Sequence, residues 1–525
     1  MESLEQLDEI LSCRLDVGRK TVKPCTVVIF GATGDLTSRK LIPALCHLCA
    51  DGQLPKPFRI IGFARRPKTS DAWRAELRQS LLARPSEFEA AQWEAFAPNV
   101  FYCTGEFGDP AAYQNLRAQL DQFGPELSRS LIFYLATAPG QFPEIAEQLH
   151  KAGLLSRGDE SGDGPRLVVE KPFGTDLASA QRLNHELTQF ASEKQIYRID
   201  HYLGKETVQN ILMFRFSNSV FEQLWNRQAV EQMQITVSEK LGVAGRGEYY
   251  ESAGALRDMV QNHLLQVLAL VAMEPPVSLE AEDVRDEKLK LLKSIRPFET
   301  GQVAASVVRG QYSAGEIDGV KVPGYRQEPK VKPDSTTETY VALRLLVDNW
   351  RWSGVPFYLR TGKRMTASCG EVRIQFRPTP HVLFAAQCGK NLDANSLTLR
   401  LQPNEGINLR FNGKAPGINM EIVPVRMNFD YHSQFGAYTP EAYQRLLLEV
   451  IANDSTNFIR RDVVEAAWSI VDPIRQAWAG LPLAQSAFYP AGTWGPPCAD
   501  ELLARRNHKW RMTSDIAPKP ATPAP

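Results

Sequence analysis

Through the first 200 residues, short apolar runs at 26–30, 58–64, 99–103, 131–136, 166–170 and 195–199 alternate with helical stretches. That alternation allows little besides parallel strands joined by crossover helices, a doubly wound α/β sheet. The runs TVVIF and RLVVE are apolar without period-two alternation, as strands covered by helices on both faces are. Beyond residue 230 the pattern changes. Runs at 235–239, 338–348, 356–360, 371–376, 397–402 and 407–413 alternate apolar with polar side chains, which predicts a large, mainly antiparallel sheet with one wet face. Helical stretches at 251–273 and 281–294 interrupt these strands, so the second domain reads as α+β. The Gly-, Pro- and charge-rich segment between 310 and 335 predicts a long surface loop. The expected division is an N-terminal extension over 1–24, a first domain over 25–200, a second over 201–510 and a disordered tail over 511–525, which contains IAPKPATPAP.

Sixty basic and 60 acidic residues cancel, so no overall field draws the chain to nucleic acid or to an anionic membrane. The longest strongly apolar run, 264–273, contains Gln266 and falls well short of the ~20 residues that span a bilayer. The acidic start MESLEQLDEILSCRLDV lacks the basic and apolar regions of a secretory signal, so a cytoplasmic location is expected. Eight cysteines show no paired framework, as reduced thiols do. Cys46 and Cys49 form a CxxC without the second pair that a tetrahedral zinc site needs, and no metal is expected.

The first strand runs into Gly31-Ala32-Thr33-Gly34-Asp35-Leu36 and then a helical stretch that Pro43 should kink or shorten. A glycine turn there lets the backbone approach a pyrophosphate, whose charge meets free amides and the positive end of the helix dipole, as in a Rossmann-type domain. The pattern departs from GxGxxG, and a plain tight turn is the other reading. Where an NAD enzyme places an acid, the second strand ends in Arg65-Arg66. Two guanidiniums suit a 2′-phosphate, with Thr33 adding a hydroxyl, so NADP is the expected cofactor.

At the ends of the fifth and sixth strands stand Glu170-Lys171-Pro172 and Asp200-His201-Tyr202-Leu203-Gly204-Lys205. Ligands of open α/β sheets bind at that edge. If a helix begins near Asp200, His201 and Lys205 share a face and converge on one anion, a phosphate dianion, with Tyr202 adding a hydroxyl. His263, one of eight histidines, can accept a proton near neutral pH. Asp258 lies about 140° away from it around a helix, so an orienting carboxylate must come from elsewhere.

GATGDLTSRKL, EKPFG, RIDHYLGKE, RDMVQNHLLQ, RGQY with VPGY, STTETYVAL, LRTGKR and LQPNE occur in an order that resembles the glucose-6-phosphate dehydrogenases, over roughly residues 25–490. The resemblance implies oxidation of glucose 6-phosphate at C1 to the lactone with hydride passed to NADP, the first step of the oxidative pentose phosphate pathway. It implies His263 as general base and Asp200 as the carboxylate that orients it. Lys171, His201, Tyr202 and Lys205 then match substrate and phosphate contacts, with Glu239, Asp258, Lys363 and Gln402 around the sugar hydroxyls. Gly31, Thr33, Gly34, Asp35, Leu36, Arg65 and Lys171 match the cofactor side. The family forms dimers or tetramers, so a homodimer or homotetramer is expected.

The chain departs from the family at four positions. Ser368 replaces a second basic residue that reaches the substrate in many members, and Cys369 replaces a lysine that holds a structural NADP in animal enzymes, so no second NADP is expected. Ala138 and Phe142 replace a common Pro and Tyr of the nicotinamide segment. Oxidation of another sugar or sugar phosphate, or a non-catalytic NADP-binding role, are the competing readings.

Overall fold

The computed structural model describes residues 22–84, 88–158, 164–379, 392–436 and 440–512. Residues 513–525 of the expected tail, most of the N-terminal extension and Cys388 lie outside them, whereas Met512, expected in the disordered tail, is buried and the Arg511 amide donates to Gln234 Oε1 at 3.1 Å. The chain forms two compact units: one holds the residues up to Lys171 with Leu183–Ile199 and Glu441–Phe458, the other Pro172–Arg182, Asp200–Pro440 and the residues from Ile459.

The first unit contains a six-stranded, wholly parallel sheet of β1 (Cys25–Phe30), β2 (Phe58–Ala64), β3 (Val100–Thr104), β4 (Leu131–Leu135), β5 (Arg166–Val169) and β6 (Ile196–Arg198), in the order β3-β2-β1-β4-β5-β6. Every residue of β1, β4 and β5 is buried, which explains why these strands read as unbroken apolar runs. The order reverses between β1 and β4, leaving a crevice at their carboxyl ends. Helix Ala442–Ile451 joins this unit from far along the chain, adding Leu446, Leu447 and Val450 to the core of Leu45, Ile60 and Tyr197. Buried Arg166 holds it by donating to the Val450 and Ile451 carbonyls at 2.7 and 2.9 Å.

The helical stretch that holds Pro43 is not one regular α-helix. A π turn over Thr37–Leu41 precedes the α-helix Ile42–Ala50 and places Pro43 in its first turn, where the missing N–H costs little. Cys46 is buried on that helix, and burial pushes its thiol up to about 12, so this CxxC packs as small apolar side chains.

The second unit is built on nine strands: β7 (Val230–Ser238), β8 (Val307–Ser313), β11 (Tyr340–Leu346), β12 (Pro356–Gly362), β13 (Cys369–Phe376), β14 (Ser396–Gln402), β15 (Gly406–Lys414), β16 (Ile422–Asp430) and β17 (Phe488–Pro490). Most pairs are antiparallel, but β7–β12 and β8–β17 are parallel. The segment expected as one long loop over 310–335 begins as the end of β8 and continues as a two-stranded ribbon, β9 (Gly315–Ile317) with β10 (Val320–Val322). Gly319, at φ +80°, makes its tight turn, which the glycine content signalled without giving the strands. Among the described residues no helix is long and apolar enough to cross a membrane.

Candidate active site

In the first unit, Gly31 ends β1 with φ +84°, and a Cβ there would sit 2.4 Å from the Ala136 carbonyl oxygen. Only glycine fits, because the loop after β4 crosses directly over the turn. The Gly34 amide closes the turn onto the Gly31 carbonyl at 2.9 Å, and the Thr37 hydroxyl donates to the same oxygen at 3.1 Å. Thr33 stands in this turn, Leu36 is half-buried, and exposed Asp35 pairs with Arg39 at 2.7 Å. Beside them, at the end of β2, Arg65 and Arg66 are exposed and neither forms an ion pair among the described residues. A strand-turn-helix with a cleared backbone and two uncommitted guanidiniums fits a phosphorylated dinucleotide. At the end of β5, Glu170 accepts from the Tyr134 hydroxyl at 2.5 Å and from Tyr443 at 3.2 Å, which fixes the turn where half-buried Lys171 stands.

The second unit gathers the remaining residues. His263 lies on the π-helical turn Leu256–Leu264, and its Nδ1 is 2.5 Å from Asp200 Oδ1. Both side chains are 1% exposed. Asp200 Oδ1 also accepts from the Tyr202 amide at 2.9 Å. Burial alone would raise the Asp200 carboxyl, but the charge and hydrogen bond of His263, aided by His201 and the Tyr202 amide, hold it well below the usual carboxylate range. An ionised carboxylate only accepts, so Nδ1 carries the proton and the basic lone pair falls on Nε2. One potential metal-ligand atom from each of Asp200, His201 and His263 lies within 4.8 Å of the others, and Asp200 and His263 are hydrogen-bonded to each other.

The Tyr202 ring stacks on His263 at 4.3 Å, and the His201 ring meets His263 edge-on at 4.7 Å. Lys205 Nζ lies 4.0 Å from the centre of the Tyr202 ring and donates to Gln402 Oε1. Burial pulls the Lys205 ammonium down to about 8 against the opposing pull of Asp200, Glu405 and Glu239. The helix expected from Asp200 starts instead at Glu206, with Lys205 as its N-cap. His201, Tyr202 and Lys205 therefore converge through a turn pinned by Asp200 and through ring stacking, not through helical spacing.

Glu239, at the end of β7, pairs with Lys363 at 2.5 Å. Burial is the main reason the Tyr202 hydroxyl resists ionisation, and Glu239, Asp200 and Asp258 add to it while Gln402 hydrogen-bonds it, which brings these groups around one point. Two tyrosines that the sequence pattern did not single out complete the arrangement. Tyr249 donates to Asp258 at 3.1 Å, and buried Tyr489 donates to the Lys363 carbonyl at 2.8 Å. The adjacent RGEYY is a weak sign of Tyr249; nothing local signals Tyr489, which arrives from the far edge of the sheet.

Family models for the glucose-6-phosphate dehydrogenase NAD-binding domain and C-terminal domain match residues 28–210 and 212–511. The chain is 45% identical over 500 residues to glucose-6-phosphate 1-dehydrogenase of Chlamydia pneumoniae, covering 94% of this chain and 97% of that protein. With the enzyme of Aggregatibacter actinomycetemcomitans it shares 46% over 499 residues, covering 94% and 99%. A solved glucose-6-phosphate dehydrogenase in complex with its substrate superposes with a TM-score of 0.84 at 35% identity, covering 93% of this chain and 98% of that one. Fold, motif order and these likenesses agree, and the chain belongs to the glucose-6-phosphate dehydrogenase family.

Proposed function

We propose that the chain oxidises glucose 6-phosphate at C1 to 6-phosphogluconolactone with NADP, the first step of the oxidative pentose phosphate pathway, using His263 as general base. The observation that carries this reading is the buried Asp200–His263 pair stacked against Tyr202 and Lys205. NADP supplies the hydride acceptor when bound. Loss of hydride leaves positive character at C1 that is relieved as the C1 hydroxyl gives its proton to His263 Nε2. Asp200 holds the imidazole in the required tautomer and stabilises the imidazolium that forms. His201, Tyr202 and Lys205 hold the substrate phosphate; Glu239, Asp258, Lys363 and Gln402 orient the sugar hydroxyls; Lys171 serves substrate and cofactor at the end of β5. Gly31, Thr33, Gly34, Asp35 and Leu36 cradle the pyrophosphate, and Arg65 reads the 2′-phosphate. Formation of NADPH at 340 nm with glucose 6-phosphate but hardly with glucose tests the reading. Equal turnover of both sugars would overturn it.

Arg65→Ala is expected to raise KM for NADP about ten- to hundredfold, the effect of a lost charge-assisted contact, while KM for NAD hardly moves. Equal changes for both cofactors would place the phosphate elsewhere. Lys205→Ala is expected to raise KM for glucose 6-phosphate by a similar factor, about ten- to hundredfold. Because the wild-type ammonium titrates at about 8, KM should also rise as pH climbs above that value, and Lys205→Arg should flatten the rise. A KM for glucose 6-phosphate left unchanged by Lys205→Ala would remove Lys205 from phosphate binding.

Assembly of two or four chains is proposed through the β15–β16 end of the large sheet, where Ile418, Met420 and Met427 are exposed. A sedimentation mass of one chain would refute it.

A further inference from the structure

A cavity of about 220 Å³ lies in the second unit between residues 251–257, Arg309 of β8, residues 336–338 and the end of helix Arg461–Trp478, sharing no lining residue with the proposed catalytic site. A single water needs roughly 10–15 Å³ of such space, so this one has room for an organic molecule. Three guanidiniums line it, those of Arg257, Arg309 and Arg475. Arg475 is paired with Asp472 at 3.0 Å. Arg257 and Arg309 form no ion pair among the described residues. Arg257 donates to the Ser252 carbonyl, and Arg309 donates to the Leu481 and Pro482 carbonyls at 2.8 and 2.9 Å while lying 5.4 Å from the centre of the Trp478 ring.

The two carboxylates of the wall are engaged elsewhere. Glu251 accepts from the Tyr325 and Ser335 hydroxyls, both at 2.6 Å, and Glu338 accepts from the Leu256 amide at 3.0 Å. Burial pushes the Glu338 carboxyl up against the pull of that amide and of the two arginines. Two forked cations whose hydrogen bonds among the described residues go to carbonyl oxygens, with the Thr336 hydroxyl beside them, match the three terminal oxygens of a phosphate better than a flat carboxylate.

We infer that this cavity is a second anion site, separate from the catalytic one, that takes a small phosphate monoester through Arg257 and Arg309. Calorimetric titration with glycerol 3-phosphate at low salt tests it on Lys205→Ala enzyme, whose catalytic phosphate contact is weakened. One molecule per chain is expected to bind, and adding Arg309→Gln, which keeps donors for the two carbonyls, should weaken binding at least about tenfold. Arg309→Gln alone should keep turnover within about twofold of wild type, showing an intact fold. Should that variant fail to fold, Thr336→Glu, which sets a carboxylate at the exposed rim, should cause the same loss. Binding unchanged by Arg309→Gln or by Thr336→Glu, or absent from Lys205→Ala enzyme, would overturn the site.

Discussion

His263→Asn is expected to lower kcat by at least about a hundredfold while KM for glucose 6-phosphate stays nearly constant, because a positioned general base contributes about 10² to 10⁴ in rate and acts in the transition state more than in binding. Asparagine keeps a polar group facing Asp200 at similar volume, so the effect reads proton transfer rather than a cavity. The proposed phosphate contacts, Tyr202 and Lys205, stand on a turn pinned by the bond between Asp200 and the Tyr202 amide, a bond the substitution leaves in place. A variant that keeps most of its kcat, or whose one defect is substrate affinity, would leave the base unassigned.

Asp200→Asn is expected to lower kcat in the same direction, again by about a hundredfold or more, through a different cause. The amide can donate to Nδ1, which moves the ring proton to Nε2 and removes the lone pair that the C1 hydroxyl needs. It also takes away the anion that stabilises the imidazolium. Stability gives a second signature. The folded Asp200 carboxyl lies below its ordinary value of 3.8, so its contribution is present above that pH and fades as pH falls through the folded value. The difference in unfolding free energy between wild type and variant, about 1–3 kcal/mol from urea titration, should therefore narrow as pH falls below about 4. A gap that does not narrow below pH 4 would show that the folded carboxyl is not held below its ordinary value.

The doubly wound sheet was legible because its strands are buried on both faces and read as unbroken apolar runs between helices. β16 was not legible: much of it is half-buried or exposed, so its side chains need no alternation. The union of helix Ala442–Ile451 with the first sheet was not legible either, because it rests on the Arg166 bonds and the Tyr197 hydroxyl at 2.8 Å from Asn453 Oδ1, contacts between residues some 250 or more apart. In the site, residue types and order pointed to Asp200, Lys205 and His263, and the want of a carboxylate on the His263 helix was readable from spacing. The turn that holds Lys205, the stack of Tyr202 on His263 and the supports from Tyr249 and Tyr489 were not, because each depends on tertiary contacts with no local period.

The most direct test of His263 as base is a single turnover followed at 340 nm, with enzyme and NADP in excess over glucose 6-phosphate, comparing wild type with His263→Asn. The first NADPH formed reports the chemical step without product release. The rate of that rise should fall by at least about a hundredfold in the variant, with its dependence on enzyme concentration unchanged; a rise as fast as wild type would contradict proton transfer to His263.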